Sequence, residues 1–423
     1  MITALIAIVF ILGYIAIAFE HAIHLNKAAS ALITGAVCWT IYIMQSNSPE
    51  TVTEELLHHL GEISSILFFL LGAMTIVELI DSHNGFDIIT QKIKTTSKRN
   101  LLFIVAVLTF FLSALLDNLT TAIVMTSLCV KILTDKEDRL WFAGMVVIAA
   151  NAGGAWSPLG DVTTTMLWIG GQITALNIIK ELILPSIAVC IIPAFIIANR
   201  FRGKKIAAIP VSTCTVEEKK DGRIILFSGI GLLLFVPAFK TVTHLPPFMG
   251  MLLALGIIWI ITAVIHNAKD AVLAEKYTVA RALRKVDAPS ILFFLGILLA
   301  VAALQSFGML TQVAAGLGSL LRNDFLVAIA LGLLSAIVDN VPLVAASQGM
   351  YDLITFPTDH HFWEFLALTT GTGGSAIIIG SAAGVAVMGI ENINFMWYLK
   401  KISWLALVGF ASGIAVYFIQ LQF

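Results

Sequence analysis

Charge is scarce in this chain: Asp, Glu, Lys and Arg make up 12% of its 423 residues, whereas 59% are hydrophobic. Soluble domains carry about a quarter charged residues, so too little polar surface is left to clothe a water-soluble core. A mean hydropathy of +0.95 agrees. Cysteine is scarcer still, with four in all. Cys38, Cys129 and Cys190 fall in apolar runs and Cys214 in a polar loop, with no C-x-x-C pair and no His/Cys cluster. Neither a disulfide framework nor a structural zinc is therefore expected. No Walker sequence is present, so ATP is not expected as a fuel. The net charge of −1 says little about partners; nucleic acid, cofactors and enzymatic chemistry are not expected.

Apolar sequence is what the chain has in abundance. Runs near the length of a membrane span occupy 2–19, 28–45, 62–80, 179–199, 224–239, 247–265, 290–306 and 399–421, each suited to a hydrocarbon core about 30 Å thick. Longer apolar tracts lie at 101–134, 141–176, 325–350 and 362–390. The expected fold class is an all-α polytopic membrane protein in a lipid bilayer. No basic residue precedes the first run, so it reads as a retained helix rather than a cleaved signal peptide.

Basic residues supply an orientation. With the amino terminus outside, all but Lys180, Lys240 and Arg322 of the 25 Lys and Arg residues gather on one face. They are Lys27, the 92–99 cluster, Lys131, Lys136, Arg139, the loops 200–223 and 269–285, and Lys400 with Lys401. The asymmetry follows the positive-inside rule and implies a multi-pass inner-membrane protein. The sorting works only if 101–134 and 325–350 each start and finish on one side, as re-entrant helical hairpins do. Two closely packed full spans keep the same parity, but arms of about 10 to 16 residues are short for crossing.

The chain also repeats itself. SILFFLLGAM at 65 returns as SILFFLGILL at 290, SALLDN at 113 as SAIVDN at 335, and NAGGAWSPLGD at 151 as GTGGSAIIIGS at 371. The order and the offset of about 222 residues are kept. The charge sorting puts 81–100 inside and its counterpart 307–324 outside, so the units have inverted topology, the architecture of secondary transporters. The domains read as amino-terminal helices 1–61, repeat 1 over 62–199 (hairpin 101–134, broken helix 141–176), a cytoplasmic linker 200–223, and repeat 2 over 224–423 (hairpin 325–350, broken helix 362–390, carboxy-terminal helix 399–421). Gly153, Gly154 and Gly160 with Pro158, and Gly371, Gly373 and Gly374, are expected to unwind the broken helices.

Asp117 and Asn118 sit at one hairpin tip and Asp339 and Asn340 at the other. Carboxylate, amide, hydroxyl and carbonyl oxygens are the ligands of a small hard cation; Thr120, Thr121, Ser113, Ser335, Asn151 and Asp161 add to the set. Burial penalises a charged carboxylate, so a proton and Na+ are rival ways to neutralise it, which is antiport. Asp161 also reads as an ordinary helix cap. Glu78 and His83 are accessory candidates for proton handling. Glu20 with His21 and His24 reads as an interfacial cluster, and His58, His59, His360 and His361 as outer-loop residues. No Lys or Arg is expected deep in a span.

These motifs give a resemblance that covers nearly the whole chain. LGAMTIVELIDSHNGF at 71, SALLDNLTTAIVM at 113, NAGGAWSPLGDVTTTMLW at 151, SAIVDNVPLVAA at 335 and TGTGGSAIIIGSAAGVA at 370 resemble NhaD-type sodium/proton antiporters of the ion transporter superfamily. The resemblance implies a homodimer with a scaffold and a transport part, hairpins entering from opposite sides, and elevator-like alternating access. It implies export of Na+ and Li+ for external H+, with the ion site at Asp117, Asn118, Asp339, Asn340 and the glycine breaks; Asp161 matches a family aspartate. Dicarboxylate symporters of the superfamily carry Ser-Asn-Thr at the tips, where this chain has Asp-Asn-Leu-Thr and Asp-Asn-Val-Pro. Arsenite permeases and Na+-coupled dicarboxylate symporters are the rival readings among relatives, and a non-transporting membrane scaffold or sensor the rival from another class.

Overall fold

The computed structural model describes residues 2–18, 20–23, 25–90, 95–206, 216–267, 277–337 and 339–422. His24, Cys214, Lys92, Lys94 and the 269–276 part of the basic loop lie outside them. Among the described residues the regular structure is helical, apart from one isolated bridge between Ser97 and Lys205. The helices of eight residues or more are α1 (Ile2–Ala18), α2 (Lys27–Gln45), α3 (Pro49–Ser82), α4 (Lys98–Leu116), α5 (Asn118–Ile132), α6 (Lys136–Ala155), α7 (Val162–Ile169), α8 (Ala175–Arg200) and α9 (Val216–Thr243). They continue as α10 (Pro247–His266), α11 (Ala288–Ser306), α12 (Met309–Leu321), α13 (Asp324–Leu334), α14 (Asn340–Met350), α15 (His361–Gly373), α16 (Ala382–Glu391) and α17 (Ser403–Gln420). Eight of these are long and apolar enough to cross a membrane, which makes this a multi-pass membrane protein.

Two packing groups emerge. In one, α2 lies along α11, α3 along α10, and α9 along α10, with α1 against α2. Close approach explains the first pairing: a side chain on Gly35 would meet the Gly296 carbonyl at 2.6 Å, and Gly296 abuts the backbone of Ala31 and Leu32. In the other, α8 lies along α17, α4 along α6, and α13 along α15. The second halves then cross over, α5 against α16 and α7 against α14.

Several expectations change here. Only some of the glycines lie in the breaks: Gly153 and Gly154 are helical, and the break runs from Trp156 to Asp161, with Pro158 and Gly160 inside it. Gly371 and Gly373 are likewise helical, and the second break starts at Gly374 and ends at Ser381. Their missing side chains serve contact instead. A Cβ on Gly153 would overlap the Phe110 carbonyl, and one on Gly373 the Gly332 carbonyl. Gly160 presses on the Ser113 carbonyl and Gly380 on that of Ser335, both at 2.7 Å from the Cβ position. These approaches recur at matched positions of the two halves, so the duplicated sequence has duplicated packing.

The first arm at 101–134 is also longer than expected. α4 has 19 residues, about 28 Å at 1.5 Å per residue, and passes as a span by length. Residues 49–61, including His58 and His59, belong to the 34-residue α3 rather than to a loop. His59 Nε2 is 3.1 Å from Ser306 Oγ, a side-chain tie that a polar tract in sequence does not reveal. The linker 200–223 is helical from Val216 onward.

Candidate cation site at the helix breaks

Both Asp-Asn pairs sit where one helix stops and another begins, because aspartate oxygens can take the orphan N–H groups of a new helix. Asp117 Oδ1 accepts from Thr120 N at 2.7 Å and Oδ2 from Thr120 Oγ1 at 2.9 Å. Its backbone has φ of 86° and ψ of 157°, a conformation reserved almost wholly for glycine and a form of strain found at functional sites. Asp339 caps α14 through Val341 N at 3.2 Å with ordinary φ of −50°.

The asparagines, not the tip aspartates, converge. Asn118 Nδ2 donates to Asp161 Oδ2 at 3.0 Å and to Asn151 Oδ1 at 3.1 Å. Asn340 Nδ2 donates to the same Asp161 Oδ2 at 3.3 Å. Asp161 Oδ1 meanwhile accepts from Thr163 N at 3.0 Å. Asp161 is therefore both the cap it reads as in sequence and the hub joining the two tips, and it is 2% exposed. Asn151 extends the hub to the second break, donating to Ser375 Oγ at 2.9 Å and Ser381 Oγ at 3.0 Å.

Ser113 and Ser335 act as ties between segments. Ser113 Oγ donates to the Ala150 carbonyl at 2.6 Å and Ser335 Oγ to the Thr370 carbonyl at 3.1 Å, an equivalent contact in each half. Two hydroxyls beside the hub behave differently: Thr121 Oγ1 and Thr163 Oγ1 are buried and have no hydrogen-bond partner among the described residues. Oxygens left unmatched in this way cost about 1 to 3 kcal/mol each, and they suit a hard cation.

A cavity of about 60 Å³ reaches this region, lined by Asp117, Asn118, Thr165, Ser290 and Lys27. A second, of about 360 Å³, shares Lys27 and Ser290 and extends past Thr120 to Glu78, Asp81 and Lys285. Glu78 is thus on the rim of an approach to the site, held by Lys285 Nζ at 2.6 Å. His83 lies elsewhere. It is buried at the end of α3, with Nε2 2.9 Å from His266 Nε2 and Nδ1 2.7 Å from the Leu79 carbonyl, not in the solvated loop that DSHNGF suggests.

One residue of the site was missed by sequence reasoning. Lys27 reads there as a basic flank, yet its ammonium is 3.8 Å from Asp339 Oδ2 and 4.5 Å from the centre of the Phe293 ring. A signal existed: Lys27 begins α2 right after the Asn26 cap with no acid in the first turn, an end where the helix dipole disfavours a cation.

Comparison with known proteins agrees with this arrangement. The family described as "Citrate transporter" matches residues 5–371. "Sodium/proton antiporter 1" of Arabidopsis thaliana is 46% identical over 414 residues, covering 97% of this chain and 71% of that protein. "Sodium/proton antiporter 2" of the same plant is 44% identical over 414 residues, covering 97% and 98%. "Na(+)/H(+) antiporter NhaD" of Vibrio cholerae serotype O1 is 29% identical over 439 residues, covering 97% and 90%. By these matches the chain belongs to the citrate transporter family of membrane carriers, alongside the NhaD-type and plant sodium/proton antiporters, and is a transporter rather than an enzyme.

Proposed function

We propose that this protein is a secondary antiporter that exports Na+, and also Li+, in exchange for H+. The observation that carries the reading is the convergence of both Asp-Asn breaks on the buried Asp161, beside hydroxyls with no partner. Three carboxylates around one junction leave negative charge in a low-dielectric setting, and each is neutralised by a proton or by a cation. Because either ion serves but both together do not, loading one favours release of the other. Asp117 and Asp339 bind the two ions competitively, Asp161 and the asparagine amides hold the tips in register, and Thr121 and Thr163 supply neutral oxygens.

Exchange also requires that the site face each side in turn. The recurring glycine contacts support two repeats of inverted topology whose hairpins enter from opposite faces. The two packing groups support a scaffold and a moving transport part, working as a homodimer in an inner membrane with the amino terminus outside.

The family description and Lys27 favour a second reading, carriage of a dicarboxylate coupled to Na+. At about 360 Å³ the larger cavity falls at the low end of small-molecule sites, whereas the one at the first tip, about 60 Å³, is too small for citrate. Charge argues against it, since Asp117, Asp161 and Asp339 repel an anion.

The test is dissipation of a preformed proton gradient in proteoliposomes by Na+, Li+, K+, arsenite or citrate, for the wild type, Asp117→Asn and Asp339→Asn. Proton release by Na+ or Li+ in the wild type, lost in both variants, is the expected result. Full exchange by either variant removes that aspartate from the pathway, and uptake of citrate or arsenite without cation-driven release moves the function to a sister branch.

A further inference from the structure

Asp339 has a charged companion and Asp117 has none of that kind. Lys27 Nζ is 3.8 Å from Asp339 Oδ2, with side-chain exposures of 25% and 17%. At that separation the pair is held by charge rather than by a directed hydrogen bond, and Lys27 lines both cavities that reach the first tip. A small cation arriving there seeks the same oxygen that the ammonium neutralises.

We infer that Lys27 is a tethered cation that occupies Asp339 while no transported ion is bound there and is displaced when one loads, so that it sets Na+ affinity. The inference rests on the antiport reading above and adds a residue to it. Two features fix where the ammonium can go. α2 is pinned to α11 by the Gly35 and Gly296 approach and by Trp39 Nε1 donating to the Leu299 carbonyl at 2.9 Å. The ring of Phe293, itself fully buried on α11, lies under the ammonium at 4.5 Å. Lys27 is thus delivered by α2, and Asp339 by the cap of α14, which packs against both α11 and α7.

The helix itself gives no reason for the lysine. It is the first residue of α2, the positive end of the dipole, with no acidic residue in that turn. Asp339 is what compensates it. One oxygen of Asp339 accepts from Val341 N and the other faces the ammonium, so a cation binding at that second oxygen competes with Lys27. Removing the ammonium therefore strengthens cation binding, and it also removes the tie that loading would otherwise have to break.

Two readouts separate the outcomes: the Na+ concentration giving half-maximal proton release in proteoliposomes, and the Na+ concentration giving half the thermal stabilisation of the solubilised protein, which needs no turnover. Lys27→Met is expected to lower both by about fivefold or more, at the low end of coupling between sites, with a reduced maximal rate because bound Na+ leaves more slowly. Lys27→Arg, keeping the charge, should stay within about twofold of the wild type on the same scale. In an Asp339→Asn background, Lys27→Met should no longer shift the stabilisation midpoint. Unchanged midpoints in Lys27→Met, or an equal shift in the Asp339→Asn background, overturn the inference and leave Lys27 as a structural pin. A wild type that shows no Na+-driven release but Na+-free citrate uptake fails the antiport reading instead.

Discussion

The two Asp-Asn breaks are built on one plan and placed in unequal surroundings. Around each, a serine five residues before the asparagine ties the incoming helix to a carbonyl of the broken helix, Ser113 to Ala150 and Ser335 to Thr370. Glycines at matched positions let the same backbones touch. The carboxylates then diverge. Asp117 sits in strained backbone and is held by Thr120, whereas Asp339 is relaxed and faces Lys27. The hub is one-sided too: Asp161 lies on the first repeat, and Ser381 at the matched place of the second accepts from Asn151. Packing recurs where the sequence recurs, but the acids and the lysine around the two breaks do not.

The largest effect that would break this comparison comes from the hub. Asp161→Asn confronts two tip amides with a poorer acceptor, at about 1 to 3 kcal/mol per unsatisfied buried group. We expect a raised half-saturating Na+ concentration and a lower melting temperature; unchanged Na+ affinity would reduce Asp161 to a helix cap. Next come the glycines. Gly153→Ala and Gly373→Ala each force a methyl group onto a backbone carbonyl, and overpacking of that kind costs about 1 to 3 kcal/mol. Thermal unfolding should show similar losses for both, and a large loss at only one would mean that the two breaks are not equivalent in packing.

The asparagines sharpen the contrast. Asn118 donates to two acceptors at 3.0 and 3.1 Å, Asn340 to Asp161 alone at 3.3 Å. Asn118→Ala should therefore weaken Na+ dependence about tenfold, and Asn340→Ala less, given about 1.5 kcal/mol for each charge-assisted bond. The reverse order in Na+ titrations would contradict the hub geometry. The smallest effect is expected at the serines. Ser113→Ala and Ser335→Ala should each cost about 1 kcal/mol of stability, while half-saturating Na+ stays near the wild-type value; a marked change in Na+ affinity would make them ion ligands after all.

Much of this molecule was legible beforehand, for identifiable reasons. Apolar runs give span positions because lipid leaves the backbone few options but helix, and the runs 247–265 and 290–306 fall within one or two residues of α10 and α11. The Asp-Asn pairs announce helix starts because aspartate is a good cap. The roles of the glycines were misjudged, since Gly153 and Gly373 are helical and a sequence does not distinguish a glycine that bends a chain from one that admits a neighbour. The polar stretch 49–61 was read as loop although its residues continue α3.

By itself, then, the sequence determined that this chain is a bundle of membrane-crossing helices, that motifs recur along it in order, and that Asp117, Asn118, Asp161, Asp339 and Asn340 stand out as polar groups in apolar tracts. Periodicity, repetition and the cost of polar groups in apolar surroundings are local properties, readable along a chain. Only the tertiary structure decided that the amides meet at Asp161 and that Lys27 turns toward Asp339, 312 positions away in the chain. Charge pairing acts through space, and which carboxylate a lysine meets depends on how α2 is seated against α11, a matter of packing between segments that no local pattern encodes.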